Sequence, residues 1–241
     1  MRTLVVTPTY NEAENVIPLV TGVLEQAPDV EALVVDDGSP DGTGDLVRER
    51  MKSEPRLHLL QREGKLGLGT AYLAGFKFAM DNDFDRAVTM DCDFSHDPRY
   101  LPNILKAMDD HDMVIGSRYI PGGGIANWPI HRRMLSSFAN MYTRLLLRLP
   151  VHDCTSGYRC YSIETLRTVD PFGVRSSGYS FLEEMVSRVH RCGFRIGESP
   201  ILFEDRVAGT SKINKSEIWR AAFHVLHTAM FPPKLPKLPK R

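Results

Sequence analysis

The sequence predicts an α/β fold: a mostly parallel central sheet with helices on both faces, followed by a C-terminal helical extension. Three observations predict it. Short β-rich apolar runs alternate with amphipathic segments through the first half of the chain, which is the pattern of βαβ units. The runs are apolar at nearly every position, as strands covered on both faces are. The chain has 241 residues, 42% hydrophobic and 25% charged, an ordinary globular composition able to bury a full core.

The elements follow in order. Leu4-Val5-Val6 marks a strand over 3–7, and an amphipathic pattern predicts a helix over about 13–26. Ala32 to Val35 is the second strand, with a helix over about 43–52. Leu57 to Leu60 precedes a helix over about 70–80, and Ala87 to Met90 precedes one over about 100–108. Met113-Val114-Ile115 closes the series. The second half differs. Pro121-Gly122-Gly123-Gly124 is a loop with wide backbone freedom. Helices are predicted over about 132–148, 179–191 and 216–230, with a strand over 196–203 and a polar, glycine-centred loop over 206–212. The end, 232–241, is a Pro/Lys/Leu tail of low complexity that reads as disordered.

Composition excludes several classes. Lys plus Arg and Asp plus Glu both number 30, so no global field favours nucleic acid. The cysteines Cys92, Cys154, Cys160 and Cys192 form neither a CxxC pair nor a zinc spacing, which suits a reducing, cytoplasmic setting. No basic-then-apolar leader precedes the first strand, and no apolar run is long enough to span a bilayer.

The polar clusters follow the strands, where ligands of such sheets bind. Asp91-Cys92-Asp93 follows the fourth strand. On a continuing strand its two carboxylates would share a face, and paired hard oxygens suit Mg²⁺ or Mn²⁺. The same residues also read as a turn or helix cap. Asp36-Asp37 follows the second strand, where a carboxylate can accept from ribose hydroxyls or a base N–H. Asp41, Ser39 and Thr43 read as turn and cap residues. Tyr10 and Glu12, after the first strand, offer an aromatic face and an acceptor. Arg118 follows a strand end. Arg132 and Arg133 open a helix, where free backbone N–H groups favour anions. Arg206 and Lys212 bracket Gly209. Ser156-Gly157 lies in no nucleophile elbow. The segment from Gly64 to Thr70 lacks the ending of a phosphate-binding loop and reads as a lead into a helix.

Together these stretches resemble the family-2 glycosyltransferases of the GT-A fold, in particular the dolichol- or polyprenol-phosphate mannose synthases. The resemblance runs through about the first 225 residues. It rests on PTYNEAENV from Pro8, VVDDGSPDGT from Val34, REGKLGLGTAYLAGF from Arg62, MDCDFSHDP from Met90, IGSRY from Ile115 and FEDRVAGTSK from Phe203. It implies a single domain over 1–231, with a nucleotide-binding half to about 118 and an acceptor half from about 119. It implies nucleoside contacts from Pro8, Tyr10, Glu12, Val35 and Asp37, and a nucleotide and metal step at Asp91, Cys92 and Asp93. Ser95 stands where some members place a further metal ligand. Cys92 replaces the alanine usual in the family. Arg118, Arg206 and Lys212 would contact the donor diphosphate, and Arg132 and Ser136 the acceptor phosphate.

The implied reaction moves mannose from GDP-mannose to dolichyl or polyprenyl phosphate with Mg²⁺ or Mn²⁺, inverting the anomeric carbon. Asp91, Asp93, Arg118 and Arg206 would carry catalysis. A UDP-sugar-dependent glucosyl counterpart keeps the fold. A nucleotidyltransferase would need a glycine-rich, basic N-terminal loop that 8–12 is not. A non-catalytic sugar-nucleotide-binding subunit would not need the intact acids and arginines. The lipid acceptor implies peripheral association with the cytosolic face of a membrane. Three routes are open: an interfacial face on the last helix, whose apolar residues also suit docking on the core; the lysines of the tail; or a membrane-anchoring partner subunit.

Overall fold

The computed structural model describes residues 1–174, 176, 178, 180–204, 215–236 and 238. The strands of the main sheet are β1 (Thr3–Thr9), β2 (Val30–Asp36), β3 (Leu57–Gln61), β4 (Arg86–Thr89) and β5 (Met113–Ser117). After the short β6 (Gly124–Ile125), β7 (Arg159–Ser162) and β8 (Ile196–Pro200) complete it, and β9 (Leu202–Phe203) pairs with β6 apart from the sheet. The order is β3-β2-β1-β4-β7-β5-β8. All neighbours are parallel except β7, which runs antiparallel to both β4 and β5.

Side-chain alternation divides the strands between two cores. Leu4, Val6, Leu33 and Val35 pack with α3 (Leu68–Asp81), α6 (Ile163–Val169) and α7 (Ser180–Cys192) on one face. Val5, Ala32 and Val34 pack with α1 (Val16–Gln26), α2 (Thr43–Met51) and α4 (Leu101–Ala107) on the other. Gly75 sets how closely α3 approaches β1: a Cβ there would lie 2.2 Å from Val6 Cγ1. Two longer helices, α5 (Ile130–Leu147) and α8 (Lys215–Met230), contact each other, and each sends a residue to the first core, Leu147 and Val225 respectively.

The predicted order of elements is realised, with several differences: α6 and β6 were not predicted, and neither was strand β7. Its sequence, Arg-Cys-Tyr-Ser, shows no apolar run, yet Arg159 is fully buried. Its guanidinium donates to the carbonyls of Ser156, Cys154 and Leu182 at 2.6–2.7 Å, so burial leaves no unmet donor cost there. The predicted strand over 196–203 breaks at Ile201, whose N–H turns to the Ser117 carbonyl (3.0 Å) while β9 moves off to β6. The tail differs too. Leu235 and Leu238 pack against the first core, and the Leu238 N–H donates to the Cys192 carbonyl at 2.9 Å. The described tail is therefore bound to the body. Its leucines find apolar cover that composition alone does not reveal.

Candidate active site

Asp91, Cys92 and Asp93 lie just beyond β4. Pairing ends at Thr89, and a last N–H from Met90 reaches the Val6 carbonyl (3.1 Å). The step is therefore a turn, and neighbours outside the strand orient its acids. The Tyr72 hydroxyl, from fully buried α3 packing, donates to Asp91 Oδ1 at 2.6 Å. Its ring stacks on Phe181 of α7, centroids 6.5 Å apart. The Asp91 N–H donates to His96 Nδ1 at 2.9 Å, which places the imidazole proton on Nε2. Burial holds the His96 pKa below its ordinary value against the upward pull of Asp91 and Asp93, so the ring is neutral. Gly157 closes the site from below: a Cβ there would sit 3.1 Å from His96 Cε1 and 3.6 Å from both Asp91 oxygens.

Asp93 Oδ1 accepts from the Ser95 N–H (3.1 Å) and the Ser95 hydroxyl (2.5 Å). Between them Phe94 adopts φ 59°, a costly conformation for an aromatic residue that clusters at functional turns. Ser95 was expected as a further metal ligand. It is buried and donates its hydroxyl proton to Asp93, which orients that carboxylate and leaves the oxygen's lone pairs for a ligand. The Cys92 side chain lies elsewhere. It packs in the second core, and burial, reinforced by Glu12, Asp93 and Asp91, pushes the thiol pKa far up. The side chain is thus held as a neutral thiol within that core.

The loops after β1 and β2 are tied to each other. Asp36 accepts from Thr9 and Ser39. Asp41 accepts from the N–H groups of Ala13 and Thr43 and from the Thr43 hydroxyl. Burial works against the Asp41 carboxylate, but these bonds prevail and hold its pKa below the ordinary value. The Glu12 N–H reaches Thr43 Oγ1 (3.0 Å), and Glu12 Oε2 accepts from Asn15. Pro8 and Tyr10 are half-buried, and Lys65 Nζ lies 4.6 Å from the centre of the Tyr10 ring. Lys65 thus joins the rim from a segment that was read only as a helix lead-in. Val35 was expected to touch the nucleoside, but its side chain is fully buried in the first core; only its backbone remains for such a contact. Asp37 is buried and paired with Arg62, and it also accepts from the Leu66 N–H (3.1 Å).

Arg118 is the largest departure from expectation. It was read as a rim cation for diphosphate. It is buried, and donates to Asp153 through Nε (2.7 Å), Nη2 (2.8 Å) and its backbone N–H (3.1 Å). Burial disfavours both charges, but their attraction prevails: the Arg118 pKa stays above and the Asp153 pKa below its ordinary value. Nη2 also reaches Thr155 Oγ1 (2.7 Å), and that oxygen accepts from Asn140 of α5 (3.2 Å). Asp153, Thr155 and Asn140 had no place in the sequence reading, because 35 residues separate Arg118 from Asp153.

Helix α5 begins two residues before its predicted start. The N–H groups of Arg132 and Arg133 consequently already bond the Pro129 carbonyl, and their side chains alone can meet an anion. The Arg132 guanidinium lies 3.9 Å from the Trp128 ring centre. Ser136, one turn on, accepts from the Tyr119 hydroxyl at 2.9 Å. Ring contacts run from the acidic step to this helix: His96 to Phe203 (5.8 Å), Phe203 to Trp128 (5.4 Å), Trp128 to Arg132. The structure therefore links Asp91 to Arg132 through one contiguous wall. Arg206 and Lys212, with the rest of the loop over 206–212, lie outside the described residues.

The donor set fits a hard divalent cation. Among the described residues no three His, Cys, Asp or Glu side chains converge on a metal position. Two carboxylates with waters and substrate phosphates are how Mg²⁺ is commonly held, and Nδ1 of His96 is already occupied. The four cysteines are buried and unpaired.

Residues 4–169 match the family described as Glycosyl transferase family 2. The chain is 45% identical over 226 residues to an undecaprenyl-phosphate mannosyltransferase of Micrococcus luteus, covering 93% of each. It is 48% identical over 227 residues to a polyprenol monophosphomannose synthase of Mycolicibacterium smegmatis, covering 93% of this chain and 85% of that one. Among solved structures it resembles a mannosyltransferase of Pyrobaculum calidifontis in complex with GDP-Man and Mn²⁺ (TM-score 0.66, 20% identity), spanning 98% of this chain and 66% of that one. It also resembles a glucosyl-3-phosphoglycerate synthase of Mycobacterium tuberculosis in complex with Mn²⁺, UDP and product (TM-score 0.64, 17% identity, 97% of this chain and 81% of that one). At those identities the two structures bear on the fold, which is the GT-A arrangement.

Proposed function

The chain belongs to glycosyl transferase family 2, and on that premise we propose that it transfers mannose from GDP-mannose to dolichyl or polyprenyl monophosphate, inverting the anomeric carbon and releasing GDP. The observation that carries this is the 45% and 48% identity to two enzymes named for polyprenyl-phosphate mannosylation, over 93% of this chain. Likeness of that extent covers the acceptor half as well as the nucleotide half. The wall from Asp91 to Arg132 supports it, because transfer requires donor and acceptor sites to adjoin.

In this reading Asp91 and Asp93 hold Mg²⁺ or Mn²⁺ against the donor diphosphate. The bound cation would offset charge on the departing diphosphate. Tyr72, His96 and Ser95 keep the two carboxylates in place. Pro8, Tyr10, Glu12 and Asp37, with backbone at Val35 and Cys92, line the nucleoside side. Arg206 and Lys212 are proposed as diphosphate ligands. Arg132 and Ser136 receive the acceptor phosphate, while Arg118, clamped by Asp153, braces the floor between the two sites. The acceptor is already an anion, so neither aspartate has to act as a general base. In this reading the enzyme works at the cytosolic face of a membrane; among the described residues no helix is long and apolar enough to cross one.

The test is an assay of labelled GDP-mannose with short-chain polyprenyl phosphate and Mg²⁺ or Mn²⁺, with competition by GDP and UDP. A mannosylated lipid phosphate, inhibited more strongly by GDP, is expected. Transfer only from UDP-glucose, or only to a sugar hydroxyl, would refute the assignment.

A further inference from the structure

Two neighbouring residues at the end of β5 reach helix α5 by separate routes. Arg118, clamped by Asp153, donates to Thr155 Oγ1 (2.7 Å), and Asn140 Nδ2 donates to the same oxygen (3.2 Å). Asn140 also accepts from the Cys154 N–H (2.8 Å) and donates to the Ser136 carbonyl (3.2 Å). Tyr119, next in the chain, closes the circuit: its hydroxyl donates to Ser136 Oγ at 2.9 Å. Ser136 and Asn140 are one turn apart on α5, so the strand end grips the helix at two successive turns.

The Tyr119 ring is braced. The Arg118 guanidinium lies 5.3 Å from its centre, and that guanidinium is itself buried and paired. Behind it the chain turns sharply, with the Gly123 N–H on the Ile120 carbonyl (2.9 Å). A Cβ on Gly123 would lie 2.5 Å from the Ser117 carbonyl oxygen, so the turn needs glycine there. The hydroxyl therefore comes to Ser136 from a fixed backbone and a held ring.

This bond decides what Ser136 can do. An oxygen that accepts from Tyr119 has to send its own proton elsewhere. Among the described residues that proton meets no acceptor, and a hydroxyl that accepts one bond is the stronger donor in the next. Arg132 stands one turn before Ser136, on the same side of the helix. A phosphate oxygen, which only accepts, matches a guanidinium and a serine proton presented together.

We infer that Tyr119 is a positioning residue for the lipid acceptor: its hydroxyl holds Ser136 Oγ so that the serine proton is presented to the acceptor phosphate beside Arg132. This rests on the acceptor-phosphate reading given above and adds the residue that orients the serine. Tyr119 works through Ser136, so its contribution is to acceptor affinity.

Tyr119→Phe keeps the ring beside Arg118 and removes the hydroxyl. Wild type, Tyr119→Phe, Ser136→Ala and the double variant are compared as full chains in two measurements. One is steady-state transfer from GDP-mannose to short-chain polyprenyl phosphate, and the other is calorimetric binding of that phosphate in the presence of GDP. Tyr119→Phe should raise the acceptor KM and Kd about tenfold, while the KM for GDP-mannose and kcat at saturating acceptor change by less than about twofold. In the Ser136→Ala background the same change should add less than about twofold, because the two side chains act as one unit. Wild-type acceptor affinity in Tyr119→Phe, full additivity in the double variant, or an equal rise in both KM values with a lowered Tm would overturn the proposal. The last pattern is that of a tie that only holds the fold. If wild type transfers mannose to no polyprenyl phosphate, the functional assignment falls, and the binding measurement still decides the inference. Phosphate bound by wild type and about tenfold more weakly by Tyr119→Phe sustains it; equal binding by the two, or none by wild type, overturns it.

Discussion

Glu183 of α7 is set where the fold makes its charge expensive. It is 6% exposed, and its Oε1 accepts one long hydrogen bond from Thr143 of α5 (3.3 Å). Oε2 is buried with no hydrogen-bond partner among the described residues. Burial raises its pKa from 4.5 to about 7, against opposing help from Thr143, Arg159 and His224. A folded pKa above the unfolded one means that the native state binds the extra proton. Stability from this group is therefore complete below pH 4.5 and declines as pH rises to about 7. The difference of roughly 2.5 pH units corresponds to about 3 kcal/mol. Glu183→Gln removes the ionisation and keeps the shape. Urea unfolding of both proteins at pH 5 and pH 8.5 gives the comparison. The variant should gain up to about 3 kcal/mol on wild type between those conditions, with a higher denaturation midpoint at pH 8.5. Parallel stability-against-pH curves for the two proteins would refute the reasoning.

Three further outcomes are expected. Tyr72→Phe deletes one buried hydrogen bond to a carboxylate and no volume; it should lower kcat/KM by about tenfold to a hundredfold, raise the metal concentration needed for half-maximal rate, and shift Tm little. Unaltered metal dependence would show that Asp91 does not rely on it. Asp93→Asn should weaken metal-dependent GDP-mannose binding in calorimetry together with turnover; lost turnover at full donor affinity would mean that Asp93 acts in chemistry. Asp153→Ala strands a buried guanidinium and should destabilise the protein by about 3–5 kcal/mol, read by chemical denaturation, and a loss under 1 kcal/mol would show that Arg118 finds another partner.

Much of the site was legible because strand-end position is a local property. Once the apolar runs locate β1, β2, β4 and β5, the clusters at Tyr10, Asp37, Asp91 and Arg118 fall at their carboxyl ends. What each residue does there was less legible. Asp91 needs Tyr72 and Gly157, from 19 residues before it and 66 after it in the chain, and no spacing rule joins them. Strand β7 escaped for a related reason. Its burial is made possible by carbonyls of Cys154, Ser156 and Leu182 that satisfy Arg159, so a strand without an apolar run lies inside the sheet.

The amino-acid sequence alone determined the order of βαβ units, the chain positions of the acidic and basic clusters and the family to which they point. These follow from periodicity and turn chemistry, which act over a few residues. Only the tertiary structure decided which charges are available. It paired Arg118 with Asp153, turned Val35 and the Cys92 thiol into the two cores and assigned the Ser95 hydroxyl to Asp93. It also turned the apolar faces of α5 and α8 outward. Burial and pairing depend on what lies across the fold, and an amphipathic pattern states that a helix has two faces without stating which one meets the protein.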